Sequence, residues 1–191
     1  MLNIVILGAP GSGKGTQSKL IIEKYGLHHI STGDMLRREM AEQTALGAMA
    51  KEYIQQGQLV PDEIIIDMVA NLLDKTSCPK GYIFDGFPRT SAQAHALDEL
   101  LRERNTPIIA VLNISVEDKD LINRIIKRGV TEKRTDDTLE TVEKRLAVYK
   151  NQTEPLKEYY KKMGKLFKIK GNSSVDEVFE LVSAVIDRLL H

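Results

Sequence analysis

The chain alternates short apolar runs with longer stretches of helical periodicity. Asn3-Ile4-Val5-Ile6-Leu7, Tyr82-Ile83-Phe84 and Ile108 through Ile114 are apolar almost without interruption, and each is bounded by turn residues or proline. Apolar runs of this kind suit strands buried on both faces, as in a parallel sheet. His28-His29-Ile30 and Lys165-Leu166-Phe167-Lys168-Ile169 are shorter or more polar strand candidates. Helical patterns separate them. The first follows Thr16 and stops near Tyr25-Gly26, where glycine suits the residue after a helix end. Others start near Asp34, run over 45–56, and run from Pro61-Asp62 to about Asp74. Further helices are predicted over 91–103 and 117–127, from near Thr138, from Pro155, and over 175–190.

Strand and helix in alternation predict an α/β, three-layer fold: a central five-stranded parallel sheet with helices on both faces. The short helices over 31–60 break that rhythm and read as a small insertion above the sheet. In open parallel sheets ligands sit beyond the carboxyl ends of the strands. That rule gathers the residues after Leu7, Asp85 to Arg89, and the residues after Ile114 at one end of the molecule.

Composition narrows the choices. A chain of 191 residues with 42% hydrophobic content predicts one domain with a proper core. The formal net charge is zero, so no global field favours nucleic acid or an anionic membrane. Cys78 is the single cysteine, which excludes an internal disulfide and a cysteine-based zinc cluster. The chain shows neither a basic-then-apolar leader nor an apolar run long enough to span a bilayer, and the expected compartment is the cytoplasm.

The candidate chemistry begins where the first strand ends. Gly8-Ala9-Pro10-Gly11-Ser12-Gly13-Lys14-Gly15-Thr16 has the spacing G-x-x-x-x-G-K between a strand and a helix. Glycines let consecutive backbone N–H groups turn toward one anion, and the helix adds the positive end of its dipole. Lys14 supplies a point charge for the β- and γ-phosphates. Gly15 stands where a hydroxyl would ligate magnesium, so the metal needs another holder. Asp85, closing a buried strand beside the loop, can hold it directly or through water. Arg37, Arg89, Arg124, Arg128, Arg134 and Arg145 fall at strand ends, in helix turns or near the polar connection 128–137. Arginine suits fork-like recognition of phosphate oxygens, and this group facing a phosphate loop suggests two polyphosphates brought end to end.

With these motifs the chain resembles the adenylate kinases of the nucleoside monophosphate kinase family, and specifically their short-lid members. The likeness spans nearly the whole chain. Its carriers are Gly8 to Gln17, Ser31-Thr32-Gly33-Asp34-Met35-Leu36-Arg37, Gly57-Gln58-Leu59-Val60-Pro61, Asp85-Gly86-Phe87-Pro88-Arg89-Thr90, and Arg134-Thr135-Asp136-Asp137.

The resemblance implies reversible conversion of ATP and AMP into two ADP with magnesium, by a monomer acting on small molecules. Gly11, Ser12, Gly13, Lys14, Gly15 and Thr16 would wrap the ATP phosphates, and Ser173 would sit at the ATP adenine. The AMP segment would be 31–60, with Thr32 and Arg37 on AMP and Gln58, Leu59 and Val60 lining the base. Gly86, Phe87, Pro88, Arg89 and Gln93 would complete that site. A short lid over 127–137 would bring Arg128 to ATP, and Arg134 and Arg145 to AMP and the moving phosphoryl group. Arg89 and Arg124 would serve the transfer as well. A lid this short without cysteine leaves no zinc site. A uridylate–cytidylate kinase of the same family is the alternative, against which Thr32 and Gln93 speak. A nucleotide-dependent switch is less favoured, because the hydroxyl after Lys14 and a guanine motif are both missing. No protein base is needed, since the acceptor phosphate is already an oxyanion, and His28 and His29 read as structural.

Overall fold

The computed structural model describes residues 1–131 and 138–190. Arg134 and most of the expected lid therefore lie outside the described residues.

Five strands form one sheet: β1 (Asn3–Leu7), β2 (His28–Ser31), β3 (Tyr82–Asp85), β4 (Ile108–Ser115) and β5 (Leu166–Lys170). Their order is β2-β3-β1-β4-β5 and every pairing is parallel. All five residues of β1 are buried, as its apolar run predicts for the central strand. Its side chains alternate between the two faces. Val5 and Leu7 join Phe84 and Val111 on one face, under α4 (Asp62–Lys75), α5 (Ser91–Glu103) and α8 (Leu156–Lys162). Ile4 and Ile6 join Ile83 and Leu112 on the other, under α1 (Lys14–Tyr25) and α9 (Val175–Leu190). Full burial of one such side chain contributes roughly 1.5–3 kcal/mol. The buried polar residue of β1, Asn3, is satisfied on both sides. It donates to Thr106 O at 2.6 Å and accepts from Tyr82 N at 3.0 Å, tying the starts of β4 and β3 together.

The insertion consists of α2 (Thr32–Ala41) and α3 (Ala45–Gln55), packed so closely that a Cβ on Gly47 would lie 2.1 Å from Glu39 O. Ser31 caps α2 by accepting from Asp34 N, and Thr44 caps α3 by accepting from Gly47 N.

Two elements differ from expectation. Helix α6 (Asp118–Thr131) continues through Gly129 instead of ending at Lys127. Its Leu121 and Ile125 pack on Val142 and Leu146 of α7 (Leu139–Val148). Between α7 and α8 the chain does not break but widens into a π-helical turn, Tyr149–Thr153, where Glu154 N donates to Tyr149 O at 2.9 Å. Pro155 has no N–H to continue an α-helical ladder, and the widened turn carries the chain past it. Among the described residues no helix is long and apolar enough to cross a membrane.

Candidate active site

A cleft of about 910 Å³ opens at the carboxyl ends of the strands, at the upper end of the range usual for ligand pockets. Its wall includes the phosphate loop, the end of β3, the insertion and the loop before α9.

Helix α1 starts at Lys14, with Gly13 at its N-cap in the left-handed region (φ 96°) and no side chain capping the first turn. The first N–H groups of a helix have no intrahelical partner, so this end is left for an anion. Lys14 Nζ donates to Gly8 O at 2.7 Å and to Ala9 O at 2.9 Å, which holds the ammonium across the loop.

Asp85 faces this loop from the end of β3. A Cβ on Gly15 would lie 3.9 Å from Asp85 Oδ2, so the space a hydroxyl-bearing residue would use opens onto the carboxylate. Ser18 Oγ donates to the same oxygen at 3.4 Å. His29 Nε2 stands 3.8 Å from it, beyond hydrogen-bond reach, and has no hydrogen-bond partner among the described residues. Burial opposes ionisation of Asp85, but His29, Lys14 and Arg89 outweigh it and hold the carboxyl below its ordinary range. An ionised carboxylate beside a hydroxyl is a hard oxygen donor set that fits magnesium.

The part of the cleft beyond the end of β3 is built on Gly86, whose φ of 76° favours glycine. Thr32 Oγ1 and Arg89 Nε both donate to Gly86 O at 2.8 Å. A Cβ there would meet Arg89 Nη2 at 2.9 Å and Thr32 Oγ1 at 3.2 Å. Thr32 is 2% exposed and is not the helix cap, a part that falls to Ser31. Thr153, on the π-helical turn, donates to Arg89 O at 2.8 Å. Burial first, then repulsion from Arg145 and Arg37, brings Arg89 down to about 10, although Asp85 pulls the other way. Arg89 stays charged at neutral pH within a cluster of like charge, a setting that favours an incoming phosphate. Arg37 is paired with Asp34.

Arg124 stands apart from this cluster. Both terminal nitrogens of its guanidinium donate to Gly171 O at 3.1 Å, and Gln17 Nε2 donates to Val175 O at 2.9 Å. The loop that carries Ser173 is thereby held from α6 and α1. Gln58, Leu59, Val60, Pro88 and Gln93 all line the cleft, whereas the Phe87 side chain is 1% exposed and packs in the core. The side chain of Arg128 lies outside the described residues.

The family model described as adenylate kinase matches residues 6–165. A protein named adenylate kinase from Azobacteroides pseudotrichonymphae is 58% identical over 189 residues, 99% of each chain. One of the same name from Parabacteroides distasonis is 54% identical over 189 residues, covering 99% of this chain and 100% of its own. The chain belongs to the adenylate kinase family.

A more distant adenylate kinase, from Archaeoglobus fulgidus, is 42% identical over 215 aligned residues, with 98% of this chain and 99% of the archaeal one covered. That alignment is longer than the 191 residues here, so the archaeal adenylate kinase carries residues with no counterpart in this chain. Two residues at the cleft were marked by no sequence motif of the adenylate kinases. His29 reaches Asp85 because β2 pairs with β3 in a register that sets Ser31 beside Asp85. Thr153 reaches Arg89 across 64 residues of sequence. Neither carries a local signal, since both depend on the order in which elements pack.

Proposed function

We propose that the chain transfers the terminal phosphoryl group of ATP to the phosphate of AMP, giving two ADP, reversibly, as a cytoplasmic monomer. The observation that carries this reading is the cleft, whose wall holds a phosphate loop at one side and an arginine-rich acceptor site at the other. Family membership supplies the reaction.

ATP lies with its phosphates over residues 11–16 and its base beside Ser173 and Arg124. Lys14 turns from its loop carbonyls to the β- and γ-phosphates. AMP lies under the 31–60 insertion, its base near Thr32, Gln93 and residues 58–60, its phosphate against Arg37, Arg89 and Arg145, with the Gly86–Pro88 backbone below. An oxygen of the AMP phosphate attacks the γ-phosphorus, and the bond from that phosphorus to the β–γ bridging oxygen breaks. The AMP phosphate is already an oxyanion, so no protein group takes a proton. The arginines stabilise charge spreading over the transferring group. By the family resemblance Arg128 and Arg134 would join them from the expected short lid over 127–137, and closure there would keep water from the γ-phosphate. Asp85 would hold magnesium, through water, and the ion would supply neutralisation of phosphate charge.

A coupled assay of ADP formation from ATP with AMP, UMP, CMP or GMP tests this reading. AMP is expected to give the highest kcat/KM. A higher value with CMP or UMP, or phosphate release without any acceptor, would overturn it.

A further inference from the structure

Behind the acceptor site lies a small polar network that reaches the cleft at Gln93. This residue, on the first turn of α5, is 1% exposed yet forms part of the cleft wall. Its Oε1 accepts from Arg89 N at 2.8 Å. Its Nε2 donates to Asp62 Oδ1 at 2.8 Å. The other oxygen of Asp62 accepts from Thr90 Oγ1 at 2.8 Å, and Thr90 caps α5 by accepting from Gln93 N. Asp62 comes from the start of a different helix, α4, 31 residues earlier in the chain.

This network fixes which end of the Gln93 amide is which. Turned by 180°, the amide would set its NH2 against the Arg89 N–H and its carbonyl oxygen against the Asp62 carboxylate. Both contacts would be repulsive, and buried polar groups left in such contacts are costly. In the observed orientation Nε2 keeps one further N–H and Oε1 one further lone pair. A 6-amino purine offers an acceptor, N1, next to a donor, its amino group, and that pair matches. A 6-oxo purine offers N1–H and a carbonyl oxygen, which would need the amide turned.

We infer that Asp62 is a positioning residue that selects 6-amino over 6-oxo purine monophosphates by locking the orientation of the Gln93 amide. This rests on the reading above that Gln93 faces the acceptor base.

The test compares AMP with IMP, which differ at this edge. Dissociation constants for both, with IMP measured by competition against AMP, are determined for wild type, Asp62→Asn and Gln93→Leu, together with KM for ATP and melting temperatures. The side-chain amide introduced by Asp62→Asn can donate to a turned Gln93. That variant is therefore expected to lower the preference for AMP over IMP about tenfold, with KM for ATP unchanged. A structural role alone would lower the melting temperature and weaken both ligands equally. A preference within twofold of wild type in folded Asp62→Asn overturns the inference. If that protein does not fold, Asp62→Ser, which suits a helix start and cannot reach Gln93, is held to the same criterion. Loss of preference in Gln93→Leu but not in the Asp62 variants refutes the part of Asp62 alone. An unchanged preference in Gln93→Leu refutes the placement of the base as well.

Discussion

The ammonium group of Lys14 rests on two carbonyl oxygens of its own loop, Gly8 O and Ala9 O. Those bonds run from a charged donor to neutral carbonyls in a part-buried loop and contribute about 1.5 kcal/mol each, whereas a charge on the phosphates of a transition state is worth several. Lys14→Met is therefore expected to keep the fold, with a melting temperature within a few degrees of wild type, and to lower kcat on the order of a hundredfold or more. Activity within a few-fold of wild type would remove Lys14 from the reaction. Thr32 and Ser31 separate two effects that adjacent residues could confuse. Thr32 Oγ1 donates to Gly86 O, which leaves its lone pairs able to accept from a ligand, while Ser31 caps the helix. Thr32→Ala should raise KM for AMP about three- to tenfold, leave KM for ATP unchanged, and lower the ratio of kcat/KM for AMP over CMP. Ser31→Ala should cost about 1 kcal/mol of stability and leave that ratio alone. The reverse pattern would exchange their parts.

Among the elements, the α2–α3 pair is defined by how closely it packs. The Cβ that Gly47→Ala adds would meet backbone, Glu39 O and C at 2.1 and 2.3 Å, which cannot move aside as a side-chain tip can. Overpacking of this kind costs roughly 1–3 kcal/mol. Gly47→Ala should lower the melting temperature and raise KM for AMP more than KM for ATP; an unchanged KM for AMP would show that the insertion does not shape the acceptor site. The first turn of α2 also carries a pH dependence. Burial pushes Asp34 up, but Arg37 and the Ser31 hydroxyl prevail and hold it below its ordinary value of 3.8. A carboxyl depressed by folding adds stability that is present above its unfolded value and lost as pH falls through the folded one. Asp34→Asn should therefore melt below wild type at pH 7, and the gap should close as pH falls below about 3.8. A gap that persists unchanged far below that value would assign the effect to packing.

For the molecule as a whole, transfer should stop in excess magnesium chelator and return when magnesium is restored, and a zinc-selective chelator should have no effect. Stoichiometric zinc in active protein would contradict this, as would full activity without magnesium. On the proposed reading the donor and acceptor sides of the cleft lie on different parts of the sheet. The phosphate loop follows β1, and the acceptor residues follow β2 and β3 on one side of it. The loop before α9 follows β5, on the far side of β4. The two ligands of that reading would therefore meet end to end over β1 without competing for one set of side chains.

Much of this was legible along the chain because it depends on neighbours in sequence. The five strands, the insertion and the phosphate loop rest on apolar runs, glycine spacing and caps that act within a few residues. The D-G-F-P-R motif marked a stretch that borders the cleft but not its geometry. Gly86 O became the anchor for Thr32 and Arg89, while Phe87 turned into the core. Local pattern was enough to say which elements form and where the glycine loop falls between strand and helix. Packing settled which residues stand behind that loop and the end of β3. His29 beside Asp85, Thr153 on Arg89, Arg124 on Gly171 and Asp62 on Gln93 join residues far apart in the chain. Strand order and helix packing, which no local pattern encodes, bring them together.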